Sequence, residues 1–221
     1  MTDADFRALA RSAALRYPAS DRFAYHFAKG KLTGDPVFAH LLEQGLIPSG
    51  KRVLDLGCGQ GLLAVLLELA GRPAARFHGI DHRAHDIARA RAAAPQGEWV
   101  EGDIRTSAFP PSDVVVILDV LHYISADEQR EVLERIRTAL GDGGTLLLRV
   151  ADGNESLRLR YTLLVDHVVT ALRAGSWPTL HTRPLAEWRT LLESLGFTVS
   201  TEPMSRGTPF ANVLCVARYT A

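Results

Sequence analysis

Val53-Leu54-Asp55-Leu56-Gly57-Cys58-Gly59-Gln60-Gly61 is the stretch that decides the architecture. Val53 to Leu56 reads as a short buried strand carrying one acid. Glycines then alternate at 57, 59 and 61, and Leu62 to Leu69 resumes at helical spacing. Glycine reaches positive φ without strain and leaves no Cβ in the way of a ligand. A glycine loop set between a strand and a helix is the context in which such loops bind ligands.

The same rhythm continues outward. Phe77-His78-Gly79-Ile80-Asp81 is a second strand, and Ala84 to Ala94 a second helix broken by Pro95. Trp99-Val100 marks a short third strand. Val114 to Leu118 is β-branched throughout its centre, as expected of a strand buried on both faces. Asp127 to Leu140 is an amphipathic helix closed by Gly141, and Thr145 to Leu148 is the fifth strand. Each parallel crossover must pass over a face of the sheet, so this alternation implies an α/β fold, a parallel sheet with helices on both sides.

Before the loop, Phe6, Leu9, Ala10, Ala13, Ala14 and Tyr17 recur at helical spacing until Pro18. Asp21 caps a second helix, Arg22 to Lys29, closed by Gly30; Asp35-Pro36 opens a third that ends at Gly45. Ser156 to Arg173 reads as an extra helix, Leu185 to Leu195 as another ended by Gly196, and Phe197 to Thr201 and Asn212 to Arg218 as two last strands. The expected organisation is a single domain over 1–221. It comprises a helical cap (1–46), a core (47–152), a helical insertion (153–182) and a C-terminal helix with two strands (183–221).

Apolar residues make up 47% of the chain, enough for a full core. Lys plus Arg equals Asp plus Glu at 25 each, which argues against nucleic acid as the main partner. The two cysteines, Cys58 and Cys215, read as reduced thiols, since a crosslink at Cys58 would obstruct the loop. No run approaches the ~18 apolar residues of a membrane span. The opening residues carry two acids and no basic region ahead of an apolar stretch, so cytoplasm is the expected compartment. Nothing in the sequence addresses oligomeric state.

Asp55 enters the loop, Asp81 ends the next strand 20 residues after Gly61, and Asp103 follows the third strand. A carboxylate at Asp81 can accept both hydroxyls of a ribose. A dinucleotide enzyme such as an NAD-dependent reductase shares that acid, but its fingerprint needs a last glycine where this chain has Leu62.

This set resembles the class I, Rossmann-like S-adenosylmethionine (SAM)-dependent methyltransferases, well over 47–150 and loosely over the last two strands. The resemblance implies a seven-stranded, mostly parallel sheet in the order 3-2-1-4-5-7-6 with the seventh strand antiparallel, and SAM as cofactor. It assigns Asp55, Gly57, Cys58, Gly59 and Gly61 to the methionine part of SAM. Asp81, with His82 beside it, goes to the ribose, and Asp103 and Ile104 to the adenine. Asp119 and Val120 would face the methionine amino group or the transfer cleft. The family's Pro-Pro-aromatic signature for nitrogen acceptors is replaced here by Asp119-Val120-Leu121-His122. That implies an oxygen or carbon of a small-molecule acceptor. A SAM-binding regulatory protein without transfer activity is the alternative from another class.

His122 is the candidate catalytic base, with an expected pKa near neutrality; it reads equally as a pocket wall. His78, His82 and His85 do not have zinc spacing, so no metal is expected. Tyr25, Phe27, Lys29 and Lys31 form an aromatic and basic segment that could act as a lid over an anionic group, or simply as a solvated helix end. That segment, through Asp35-Pro36-Val37-Phe38, is also similar to small methyltransferases of aryl-polyene and xanthomonadin-type pigment pathways. The similarity implies an aromatic or carrier-protein-linked acceptor. Arg149, Tyr161 and Trp177 are further candidates for the acceptor side.

Overall fold

The computed structural model describes residues 1–18, 20–153, 180–205 and 210–220. Seven strands form one sheet in the order β3-β2-β1-β4-β5-β7-β6. They are β1 (Arg52–Leu56), β2 (Arg76–Asp81), β3 (Glu98–Glu101), β4 (Ser112–Leu118), β5 (Leu140–Ala151), β6 (Phe197–Pro203) and β7 (Asn212–Tyr219). β1, β2 and β3 pair in parallel, whereas β7 runs antiparallel to both β5 and β6. The order and the antiparallel last strand are those that the resemblance implied. Val114 to Ile117 of β4 are at most 3% exposed, in keeping with a strand covered on both faces.

The chain divides into two compact units, Met1–Val116 and Ile117–Ala221. The first begins with α1 (Asp3–Ala14), α2 (Arg22–Gly34) and α3 (Pro36–Glu43). Thr2 and Asp5 form a capping box for α1, and Asp21 and Asp35 cap α2 and α3 with their carboxylates. α2 does not stop at Gly30 as expected. It runs a further turn to Gly34, because Leu32 is fully buried and the Lys31–Asp35 pair at 2.8 Å closes that turn. Burial of a leucine, about 1.5–3 kcal/mol, outweighs the ~1 kcal/mol that an interior glycine costs. α4 (Leu62–Leu69) follows the glycine loop and is buried on most sides, and α5 (Ala84–Ala93) covers β2 and β3.

The second unit holds a 3₁₀ turn (Leu121–Tyr123), α6 (Ala126–Ala139), β5, α7 (Leu185–Ser194), β6 and β7. Ser125 and Glu128 form the capping box of α6, whose Val132, Leu133 and Ile136 are buried. β5 starts directly at Leu140, so Gly141 lies in the strand and does not close the helix. The expected helix over 156–173 lies outside the described residues, as do Tyr161 and Trp177. No helix among the described residues is long and apolar enough to cross a membrane.

Candidate functional site

The glycine loop turns over the end of β2. The amides of Gly57 and Cys58 both donate to the Ile80 carbonyl, at 2.8 and 3.1 Å. Gly57, Gly59 and Gly61 all have positive φ, at 78°, 52° and 79°. The three glycines are not equivalent. A Cβ on Gly59 would meet nothing within 4 Å, so this face of the loop opens onto free space. A Cβ on Gly61 would lie 2.9 Å from the Trp99 indole. Gly59 is therefore the open glycine of the loop, and Gly61 packs closely against Trp99.

Asp55 and Asp81 lie buried beneath the loop, at 6% and 5% exposure. Burial first, and the neighbouring Asp81 charge second, push the Asp55 carboxyl up to about 7. Asp81 accepts the Gly59 amide at 2.8 Å on one oxygen and the Arg83 amide at 3.0 Å on the other. A carboxylate has about four acceptor positions, so capacity remains for two hydroxyls. His82 is exposed, 3.6 Å from Asp81. Asp103 is engaged by Arg105 through its amide at 2.8 Å and its guanidinium at 2.5–3.0 Å, which holds the carboxyl below the usual range. Ile104 next to it is buried.

Asp119, Val120, His122 and Arg149 belong to the second unit. Asp119 takes φ 60°, the only left-handed non-glycine among the described residues. The Arg149 guanidinium grips both Asp119 carboxylate oxygens, and the Asp119 amide donates to the Arg149 carbonyl at 3.3 Å. Arg149 is 1% exposed, and its guanidinium is engaged by Asp119. Val120 opens the 3₁₀ turn that carries His122. Burial pushes His122 down to about 4, against a smaller raising effect of Asp119. This corrects the near-neutral value expected from sequence: the imidazole is uncharged at pH 7 and weakly basic.

Residues 53–144 match the family described as "Methyltransferase domain". Over that stretch, less than half of the chain, the sequence is that of a methyltransferase domain. A carboxy-S-adenosyl-L-methionine synthase of Chromohalobacter salexigens is 37% identical to this chain over 117 residues, 49% of this chain and 43% of the relative. A trans-aconitate 2-methyltransferase of an Azoarcus species is 28% identical over 170 residues, 70% of this chain and 66% of the relative. The chain thus spans about half to two thirds of the length of these curated relatives. The magnesium protoporphyrin IX methyltransferase of Synechocystis, solved with bound S-adenosylhomocysteine (SAH), superposes with a TM-score of 0.64 at 23% identity; the match covers 90% of this chain and 87% of that one. At that identity the likeness concerns the fold.

The lid candidates fall on α2, N-terminal to the matched residues. Tyr25 and Phe27 are half-buried, Tyr25 edge-on to His26 and Phe27 stacked on Phe23. Lys29 is exposed, while Lys31 is paired with Asp35. Sequence reasoning missed three features. Trp99 fills the space under the loop, and a Cβ on Gly79 or Gly97 would come within 2.4–2.8 Å of its ring. A glycine inside a strand was the available signal for such close approach. Gln129, fully buried, donates to the carbonyls of Leu121, Ile124 and His181 and accepts from Arg183, so it shapes the His122 turn. Arg89 on α5 joins Asp21, at 2.6 and 3.0 Å, to Asp86 at 3.0 Å. Among the described residues no group of three or more His, Cys, Asp or Glu gathers to hold a metal.

Proposed function

We propose that this protein binds SAM at the glycine loop and transfers its methyl group to an oxygen or carbon of a small-molecule acceptor. The observation that carries this reading is the pairing of two buried acids, Asp55 and Asp81, with the free space over Gly59. Such a site favours a ligand bearing positive charge and vicinal hydroxyls, and SAM has a sulfonium, an ammonium and a ribose. A pyrophosphate would meet two carboxylates and no lysine or arginine of the loop. Leu62, buried at the start of α4, also stands where a dinucleotide fingerprint has its last glycine. The names of the curated relatives support a small acceptor.

SAM supplies an already activated methyl group. The chain's own contribution is alignment and exclusion of water. Asp81 would use its spare acceptor positions for the ribose hydroxyls while holding the Gly59 amide. Asp55 would face the cationic end. An adenine contact by Asp103 would require Arg105 to release it, whereas Ile104 can pack against the ring as it stands.

Calorimetric titration with SAM, SAH and NAD tests the reading. SAM and SAH are expected to bind and NAD is not; binding of NAD alone overturns it. Turnover of a bound acceptor then separates an enzyme from a SAM-binding regulator.

A further inference from the structure

The glycine loop is also held from the side of the N-terminal helices. The Tyr17 hydroxyl donates to the Gln60 carbonyl at 2.8 Å, and the Gln60 side-chain amide donates to the Ala24 carbonyl at 3.0 Å. Tyr17 and Gln60 are each 2% exposed, so water does not compete for these bonds. Burial pushes the Tyr17 phenol up, which keeps it a donor at any ordinary pH. Two further attachments brace the same segment. Arg16, in the turn after α1, meets Glu68 of α4 at 2.8 Å, and Asp21, the cap of α2, meets Arg89 of α5 at 2.6 Å. Tyr17 lies between these two anchors, so its hydroxyl is delivered to Gln60 by a fixed piece of backbone.

Gln60 is the residue between Gly59 and Gly61, both at positive φ. A run of glycines has many conformations of similar energy and loses more freedom on ordering than any other sequence. Something outside the loop must select the one conformation in which Gly59 opens toward a ligand and its amide reaches Asp81. We propose that Tyr17 and Gln60 form a latch through which α1 and α2 set the affinity of the loop for SAM, with Tyr17 a positioning residue for cofactor binding. The latch acts by preorganisation: a loop that is competent only part of the time binds more weakly by that fraction. The inference rests on the reading of this loop as the SAM site.

The test is calorimetric titration of wild type, Tyr17→Phe, Gln60→Leu and the double variant with SAH, beside their thermal melts. Tyr17→Phe keeps the ring and leaves the Gln60 carbonyl buried without its donor, so the dissociation constant should rise roughly tenfold. Gln60→Leu should weaken binding similarly, and the double variant by less than the product of the two, because both open the same latch. A purely structural role predicts lower melting temperatures with unchanged dissociation constants, and that result overturns the latch. Gln60→Leu carries the comparison by itself if Tyr17→Phe does not fold. Failure of the wild type to bind SAH overturns the cofactor reading, and the latch with it; normal affinity in the variants overturns the latch alone.

Discussion

The Gly59 amide donates to the Asp81 carboxylate across 2.8 Å, so the open glycine of the loop and the acid that ends β2 hold each other in place. Gly59 has no side chain, and the other Asp81 oxygen is taken by the Arg83 amide. One carboxylate thus shapes the loop and, in the proposed complex, reads the ribose.

Asp81→Ala removes both functions and should weaken SAM binding by about 2–4 kcal/mol, the scale of charge-assisted hydrogen bonds lost in a buried site. Asp81→Asn retains one acceptor oxygen and should fall between. Titration of both variants with SAH checks the order, and wild-type affinity in Asp81→Ala would place the ribose elsewhere.

Gly59→Val and Gly61→Ala should fail in different ways. At Gly59 the added side chain enters empty space, so the fold should persist, at the cost of about 1–2 kcal/mol for the left-handed backbone, while cofactor binding is lost. At Gly61 the methyl group meets Trp99 at 2.9 Å, so the melting temperature itself should drop further. Circular dichroism melts beside SAH titrations separate the two; equal melting losses would contradict the assignment of Gly59 to the ligand face.

Asp55 makes both stability and binding depend on pH. Its carboxyl is raised from 3.8 to about 7 in the folded, ligand-free protein, by burial first and by Asp81 second. The folded state therefore holds a proton that the unfolded state releases. The stability this contributes is complete below 3.8 and is lost as pH rises through about 7. A bound cation favours the ionised form, so SAM uptake should release a proton at about pH 6 and tighten toward about pH 8. Calorimetry in two buffers of different ionisation enthalpy measures that release. Asp55→Asn should abolish it; a release unchanged in this variant assigns the proton to another group.

His122 should act as a neutral hydrogen-bonding wall and not as the base. Held near 4 by burial, it has little affinity for the proton of an attacking hydroxyl. His122→Gln should keep turnover within about threefold of wild type, whereas His122→Ala, which empties the site, should be slower by tenfold or more. Single-turnover rates with a working acceptor decide; a Gln variant slowed by about a hundredfold would restore general-base catalysis.

Residues close in sequence carried much of the architecture. The strand Val53–Leu56, the alternating glycines, the acid 20 residues beyond Gly61 and the β-branched run at Val114–Ile117 were all legible, because strand periodicity and glycine conformation are local properties. The Asp103–Arg105 pair, two residues apart, was within reach of the same reasoning. What only the tertiary structure decided depends on groups brought together from afar. α2 passes through Gly30 because Leu32 finds a buried site. Gly79 and Gly97 are required because Trp99 lies against them, and Tyr17 meets Gln60 across 43 residues of chain. The charge states of Asp55 and His122 follow from desolvation, which a sequence does not contain: the same carboxyl or imidazole titrates normally in water and far from its ordinary value once the fold has removed the water around it.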